Sequence, residues 1–209
     1  MKDPKISYAI PVHNEYEEID GLIKHLLKYK KEADEIVVQC DKGNTTENVY
    51  KVLDKYHNKI KIIEFPLNRD FASFKNNLKN NCTGDWVFQI DADEIPEEYL
   101  ISMLPTILKQ NPNTEVFWVP RINTVDGLTK EHIQKWGWNV NNRGWVNFPD
   151  KQLRIYKNDP ERIKWTKPVH EQLKGYTKFA NLPAEEKFCL YHPKNIGRQE
   201  SQNAFYETI

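Results

Sequence analysis

Asp91-Ala92-Asp93 follows directly on the apolar run Trp86-Val87-Phe88-Gln89-Ile90, setting two carboxylates two positions apart. A run this apolar, opened by Gly84-Asp85 and followed by Glu94-Ile95-Pro96-Glu97-Glu98, predicts a buried parallel strand giving way to a helix. Positions i and i+2 of an extended chain face the same way, so Asp91 and Asp93 are expected to reach one ligand together. They would do so at the C-terminal end of a strand, the edge where open α/β sheets bind ligands. Hard divalent cations such as Mg2+ or Mn2+ take carboxylate oxygens and keep places for phosphate oxygens, so the pair points to a metal-bridged diphosphate. A plainer role also fits: acids complementing the dipole of a helix with Pro96 near its first turn. An EF-hand is excluded, because the glycine and spaced ligands it needs after Asp93 are absent. A phosphatase of the D-x-D-x-T type is disfavoured by Ile95 and by the lateness of the strand in the chain.

The elements that must position this pair are legible as hydrophobic periodicity. Lys5–Val12 reads as a strand, and Ile19, Leu22, Ile23, Leu26 and Leu27 then recur at helical spacing. Glu35–Cys40 is a second strand, followed by a helix carrying Val49, Val52, Leu53 and Tyr56. Ile60–Phe65 is a third, followed by a helix marked by Phe71, Phe74 and Leu78. The Asp91 strand comes fourth, and Leu100, Met103, Leu104, Ile107 and Leu108 line the next helix. Such alternation with short connections predicts an α/β fold, a Rossmann-like, mostly parallel sheet flanked by helices on both faces. From Glu115 the pattern changes to short strands at Val116–Val119, Gln152–Tyr156 and Phe188–Tyr191, separated by irregular segments holding Trp118, Trp136, Trp138, Trp145 and Trp165. With 209 residues and no low-complexity linker, the expectation is a single domain, residues 1–114 its nucleotide-binding half and 115–209 its acceptor and catalytic half. The stretch Gly197–Ile209 reads as a surface helix or as the edge of a longer polypeptide.

Composition excludes several classes. Thirty basic residues balance thirty acidic ones, leaving no global field for nucleic acid or anionic lipid. A mean hydropathy of -0.77, with no apolar stretch near the roughly 20 residues that span a bilayer, predicts no transmembrane segment. No apolar leader follows Met1, which predicts cytoplasmic residence. Cys40, Cys82 and Cys189 lack C-x-x-C spacing and read as packing thiols rather than a disulfide framework or zinc site.

Taken together, the motifs are more specific than any one of them. Ile10-Pro11-Val12-His13-Asn14-Glu15 ends the first strand and Asp41-Lys42-Gly43-Asn44-Thr45-Thr46 the second. Asn68-Arg69-Asp70-Phe71-Ala72-Ser73-Phe74-Lys75-Asn76 precedes Thr83-Gly84-Asp85-Trp86. In order and spacing this resembles the family 2 nucleotide-sugar glycosyltransferases of the GT-A fold, strongly over the first half. Phe148-Pro149-Asp150, Leu153-Arg154-Ile155-Tyr156 and Pro168-Val169-His170-Glu171 resemble the C-terminal part of the family's core-oligosaccharide and capsular-sugar branch. Some phrases also resemble virus-encoded members, for which the cytoplasm would be the host's.

The resemblance implies roles by position. Pro11, Val12 and His13 would line a uracil pocket, His13 standing where the family usually has an aromatic ring, and Glu15 belongs to the same turn. Asp41 would accept from the uracil N–H, Arg69 or Lys75 would contact base or phosphate, Asp91 with Ala92 would hold the ribose, and Asp93 the metal. Simpler readings stand beside these: Asn14 with Glu17 fits an N-x-x-E helix cap, Asp41 before Gly43 fits turn chemistry, and Arg69 and Lys75 fit solvated charges. For the second half, Asp150 is the expected general base with Glu171 its rival, and His170 the expected metal-binding histidine with His192 its rival. Trp136, Trp138 and Trp145 could form a platform for a sugar face, although core packing is the commoner fate of tryptophan. These readings imply a Mn2+- or Mg2+-dependent enzyme of inverting type, moving a hexose from a UDP-sugar to a glycan or glycoprotein acceptor. The alternatives are a UDP-sugar-binding module without transfer activity and a phosphatase or nucleotidyltransferase using the same carboxylates.

Overall fold

The structure, a computed structural model, describes residues 3–200 of the chain. In order the elements are β1 (Ile6–Val12), α1 (Tyr16–Tyr29), β2 (Glu35–Asp41), α2 (Glu47–Asp54), β3 (Lys61–Phe65), α3 (Phe71–Asn80), β4 (Trp86–Gln89), β5 (Ile95–Pro96) and α4 (Glu98–Gln110). There follow β6 (Val116–Asp126), α5 (Lys130–Trp136), β7 (Val146–Lys157), β8 (Lys164–Thr166), β9 (Gln172–Lys174), β10 (Phe179–Asn181) and β11 (Leu190–Asn195).

The main sheet runs β3-β2-β1-β4-β7-β6-β11-β5, with β10 paired to β6. β1 lies parallel to β2 and β4, and β2 to β3, whereas β7 is antiparallel to both β4 and β6. The sheet is therefore mixed, its first four strands parallel as the alternating pattern predicts. Because β2 and β3 build outward from one side of β1 while β4 lies on the other, the strand order reverses between β1 and β4. At the carboxyl ends of two such strands a crevice opens, and it is where an open α/β sheet holds ligands. His13 and Asp91 stand just beyond those two ends.

Burial follows the periodicity. Ile19, Leu22, Ile23 and Leu26 of α1, at i, i+3, i+4 and i+7, have no exposed surface and pack with β1, α2 and α4. The opposite face of the sheet is covered by α3 and the β8–β9 hairpin, around Ala9, Val37, Leu78 and Trp165. Cys40, Cys82 and Cys189 are free and buried, as expected of packing thiols, and burial pushes their pKa values up to about 11, 12 and 12.

Several elements differ from the sequence expectation. Helix α1 begins at Tyr16 with Glu15 as its N-cap, and no side-chain cap bond forms, so Asn14 and Glu17 do not cap it. β6 and β7 run far beyond Val116–Val119 and Gln152–Tyr156, because their outer halves carry polar side chains that interrupt the apolar pattern. Phe188 falls in a short 3-10 turn, and the strand begins at Leu190. The chain is helical over 196–200, and the rest of the expected terminal helix lies outside the described residues.

Gly84 shows how closely the loop before β4 meets β1. A Cβ there would lie 2.7 Å from Ser7 Oγ, 2.8 Å from Ser7 N and 2.9 Å from the Lys5 carbonyl. Two of these are backbone atoms with little room to yield. Gly84→Ala should therefore destabilise the protein by about 1–3 kcal/mol, the scale of overpacking. Urea unfolding should show this as a lower midpoint at unchanged slope.

Candidate active site

β4 ends at Gln89, and residues 91–94 form a turn closed by a 2.9 Å bond from Glu94 N to the Asp91 carbonyl. This corrects the expectation of an extended chain carrying both carboxylates on one face. The turn leads into the short β5 rather than directly into α4, and Pro96 lies in that strand. Asp91 and Asp93 are thus separated by a change of direction, and each finds its own partner.

Those partners form a continuous circuit of side chains. Arg154 donates to Asp91 Oδ2 and, at 2.6 Å, to Glu94 Oε1. Glu94, with no exposed surface, also accepts from Arg121 Nη1 at 2.9 Å and, through Oε2, from Asp91 N at 3.1 Å. Arg121 turns its other edge to Asp150, its Nε and Nη2 lying 2.9 and 2.7 Å from Oδ2. Asn123 Nδ2 reaches the same oxygen at 2.9 Å, and its Oδ1 lies 2.8 Å from His192 Nδ1. His192 Nε2 is 3.3 Å from Asp93 Oδ2, which returns the circuit to the turn where it began.

Backbone register builds this arrangement. Arg121 lies opposite Asp150 in the β6–β7 pairing, and Asn123 beside His192 in the β6–β11 pairing. Arg121 and Asn123 alternate with the fully buried Ile122, so both turn to the face away from that core residue. Burial pushes the pKa values of Asp91, Asp93 and Asp150 upward, but the neighbouring groups outweigh it and hold all three below the ordinary value. Arg154 acts chiefly on Asp91, the His192 hydrogen bond on Asp93, and Arg121 with Asn123 on Asp150.

On the β1–β2 side, Val12 is buried, Pro11 half-buried and His13 exposed. His13 Nδ1 stands 3.9 Å from Asp41 Oδ2. Asp41 is itself buried, Oδ1 accepting from Leu67 N at 2.9 Å and Oδ2 from Asn44 Nδ2 at 3.1 Å, so it serves turn structure whatever else it binds. Glu15 Oε2 accepts from the amides of His13 and Asn14 at 2.9 and 3.0 Å, fixing the loop after β1. Arg69 is exposed, in a left-handed backbone conformation it shares with Asn68. Lys75 is paired with Glu171 and lies 4.6 Å over the Trp165 ring, and its charge also acts on Asp91. The buried Ala92 sits between the two carboxylates of the turn.

Of the two histidines weighed for a metal, His192 meets Asp93. His170 lies exposed in the β8–β9 turn with a left-handed backbone, and its ring makes no contact with Asp93 among the described residues. The histidine beside Asp93 is thus the rival His192 and not the preferred His170. Its neighbour Glu171 is engaged with Lys75 on α3. Among the tryptophans, Trp136 and Trp138 rings lie 4.6 Å apart, while Trp145 packs on Phe148 at 4.8 Å under Arg143. Only Trp138 of the three lines the cavity of about 250 Å3 beside His192, whose wall also includes Arg121, Asn123, Asn147 and Lys194. A larger cavity of about 450 Å3 lies behind α3 and is lined by none of the circuit residues.

Glu94, Arg121, Asn123 and Arg198 were not singled out as functional from the sequence. Arg198 Nη2 lies 3.2 Å from Asp93 Oδ2 and 3.4 Å from Glu15 Oε1, with Nη1 2.8 Å from Glu18. The available signal was the polar alternation of Arg121 and Asn123 after an apolar strand start, and the third acid following the Asp91 pair. A metal would find two protein donors here. Two ligands each about 2.1 Å from an octahedral ion stand about 3 Å apart when adjacent, close to the separation of Asp93 Oδ2 and His192 Nε2. Among the described residues no cluster of three or more His, Cys, Asp or Glu side chains is gathered to hold an ion. The remaining positions would thus fall to phosphate oxygens and water, the usual situation for Mg2+.

The sheet order, with its acidic turn at the switch point, is that of the GT-A fold. The chain matches the model of Glycosyl transferase family 2 over residues 7–181 and belongs to that family. It is 29% identical over 158 residues to an uncharacterized glycosyltransferase of Haemophilus influenzae, covering 74% of this chain and 53% of that protein. The chain thus spans about half the length of that curated relative. Staphylococcus aureus TarS, as the fragment 1-349, superimposes with a TM-score of 0.64 at 15% identity, over 90% of this chain and 60% of that one. The same fragment in complex with UDP-GlcNAc gives 0.63 at 17% identity, over 91% and 58%. At such identities the likeness concerns the fold. No helix among the described residues is long and apolar enough to cross a membrane.

Two outcomes follow from the circuit. Glu94→Gln leaves the buried Arg154 and half-buried Arg121 guanidiniums short of a counter-charge and should lower stability by about 3 kcal/mol, the scale for breaking a buried pair. A smaller loss than about 1 kcal/mol in urea unfolding would deny Glu94 that role. Asp91 and Asp150 have depressed folded pKa values, so their contribution is present in full above the ordinary carboxylate value of 3.8 and is lost as pH falls through the folded values. Stability measured from pH 6 downward should therefore hold to about pH 4 and decline below it, less steeply in Asp150→Asn.

Proposed function

We propose that the chain is the catalytic part of a metal-dependent glycosyltransferase that moves a hexose from a UDP-sugar to a glycan or glycoconjugate acceptor with inversion. The observation that carries the reading is the pairing of Asp93 with His192 beside Asp91, at the carboxyl edge of β4 next to the β1–β4 switch point. The solved complexes of TarS with UDP-GlcNAc and with UDP support the choice of a uridine donor on this fold.

In this reading Pro11, Val12 and His13 flank the base, and Asp41, whose oxygens each take one donor in the structure, accepts from the imide N–H with a remaining lone pair. Arg69, exposed on the loop after β3, and Lys75 supply positive charge to base or diphosphate. Asp91 and Ala92 border the ribose. Asp93 and His192 would hold Mn2+ or Mg2+, which when bound would neutralise the charge developing on the leaving diphosphate. The acceptor approaches from the β6–β7 side, where Trp138 and Asn147 line the small cavity.

Asp150 is the base in this reading. Its Oδ2 takes three donors, but Oδ1 takes only Gln152 Nε2 at 2.7 Å, leaving that oxygen a lone pair for an acceptor hydroxyl. Arg121 keeps the carboxylate ionised at neutral pH and at the same time weakens it as a base, which places more of the work on orientation. Glu171 is the rival, held by Lys75.

Calorimetry with UDP, GDP and CMP, each with and without Mn2+, tests the donor. UDP should bind most tightly and lose affinity in chelator, and equal binding of all three would remove the uridine assignment. For the base, Asp150→Asn should lose about 100-fold or more in kcat with little change in UDP-sugar affinity, while Glu171→Gln stays active. The reverse pattern would transfer the role to Glu171. Normal turnover in both would leave inversion without a base.

A further inference from the structure

Three carboxylates from separate parts of the chain converge on one guanidinium at the mouth of the crevice. Arg198 Nη2 lies 3.2 Å from Asp93 Oδ2 in the turn after β4 and 3.4 Å from Glu15 Oε1 at the start of α1. Its Nη1 lies 2.8 Å from Glu18 Oε1 within α1. The side chain is aimed from the helical turn that follows β11, where the Arg198 amide donates to Asn195 Oδ1 at 2.8 Å. A guanidinium keeps its charge at every pH at which a protein stays folded, so the arrangement does not depend on titration.

The oxygen it meets on Asp93 is the one that faces His192 Nε2 at 3.3 Å. An ion about 2.1 Å from that oxygen could stand no more than about 5 Å from Arg198 Nη2. This is well inside the screening length of about 8 Å in physiological salt, so a divalent cation and the guanidinium would repel each other there. Asp93 therefore cannot serve both at full strength. The other two acids give the guanidinium a place to go. Its shortest pair is with Glu18, its side chain is one-third exposed, and giving up Asp93 leaves two of its three carboxylates in reach.

We propose that Arg198 is a built-in counter-ion of Asp93 that competes with a divalent cation for Oδ2, and that binding of the ion transfers the guanidinium to Glu15 and Glu18. The inference rests on the metal reading given above and adds to it a cost for binding the ion alone. It also gives the α1 side a share in the event. Glu15 Oε2 holds the amides of His13 and Asn14, so a carboxylate that receives the guanidinium also shapes the loop expected to line the base. The proposed metal and base positions, on different strands, are thereby joined through one side chain.

Mn2+ titration of nucleotide-free protein near neutral pH, with free ion followed by electron paramagnetic resonance, measures the competition. Arg198→Gln should bind Mn2+ about 10-fold more tightly than the unaltered protein, the scale for removing one charge at that distance from a partly solvated ion. Arg198→Lys, which returns a charge, should lose most of that gain, and Asp93→Asn added to Arg198→Gln should abolish it. Glu18→Gln, at a side chain 41% exposed, tests the same competition with Arg198 intact. With one carboxylate fewer to hold it, the guanidinium leans on Asp93, and Mn2+ should bind about 3-fold more weakly. The same substitution added to Arg198→Gln should change little, which separates competition from the general loss of a negative charge. Circular dichroism and thermal melts confirm that each variant is folded.

Equal Mn2+ affinity in the unaltered protein and in Arg198→Gln, or weaker binding in the variant, overturns the proposal and leaves the metal reading standing. A gain that survives Asp93→Asn overturns it as well, since the ion is then held elsewhere. So does an equal effect of Glu18→Gln with and without Arg198. If neither protein binds Mn2+, the metal reading and the proposal fall together.

Discussion

A carboxylate with no access to water, Glu94, lies between Arg121 and Arg154, and the remaining site geometry is referred to it. An unpaired charge buried to this degree would cost several kcal/mol, so the group persists only because two guanidiniums and the Asp91 amide satisfy it together. Each arginine then has a second edge with a fixed direction. Arg154 presents its edge to Asp91 and Arg121 to Asp150. The D-x-D turn on β4 and the carboxylate on β7 are thereby held by one buried ion, although they lie 59 positions apart in the chain. A hydrophobic substitute could match the stability of such a cluster, but it could not aim two carboxylates at one crevice.

The sheet supplies the other half of that constraint. β4 is the last parallel strand of the first half and is bordered directly by antiparallel β7, which is paired in turn with β6. Groups on these strands meet across short distances because register places them opposite one another rather than because loops happen to fold together. The nucleotide side is built differently. There Glu15 and Asp41 hold loop amides beyond the ends of β1 and β2, so the loops carry the shape and the parallel strands only set where they begin.

This difference explains what could be read in advance. The first four strands and their helices are apolar on their buried faces, and single-chain periodicity locates them within a residue or two. β6 and β7 begin and end as apolar strands, respectively, but Arg121, Asn123 and Asp150 stand half-buried on the face opposite that core and interrupt the apolar run. A pattern search stops at such residues, which is why β6 was expected to end at Val119. The Asp91 pair was legible as chemistry, but its geometry was not, since a turn and an extended strand place the same two letters differently. The choice between His170 and His192 turned on tertiary pairing: β11 brings His192 beside Asn123, and no local spacing encodes that neighbour. Glu94 was hidden by its context, being one acid among several at what reads as a helix start.

The site has a stiff side and a softer one. The ion pairs around Glu94 are dry, Arg154 being 5% exposed, and opening them would expose charge to an apolar surround. Arg198 joins Asp93 to Glu15 and Glu18 of the α1 side, but its side chain is one-third exposed and its shortest pair, to Glu18, meets a partner that is 41% exposed. Pairs of that kind contribute about 1 kcal/mol or less each. Asp91 and Asp150, by contrast, are held from behind by Arg154 and Arg121.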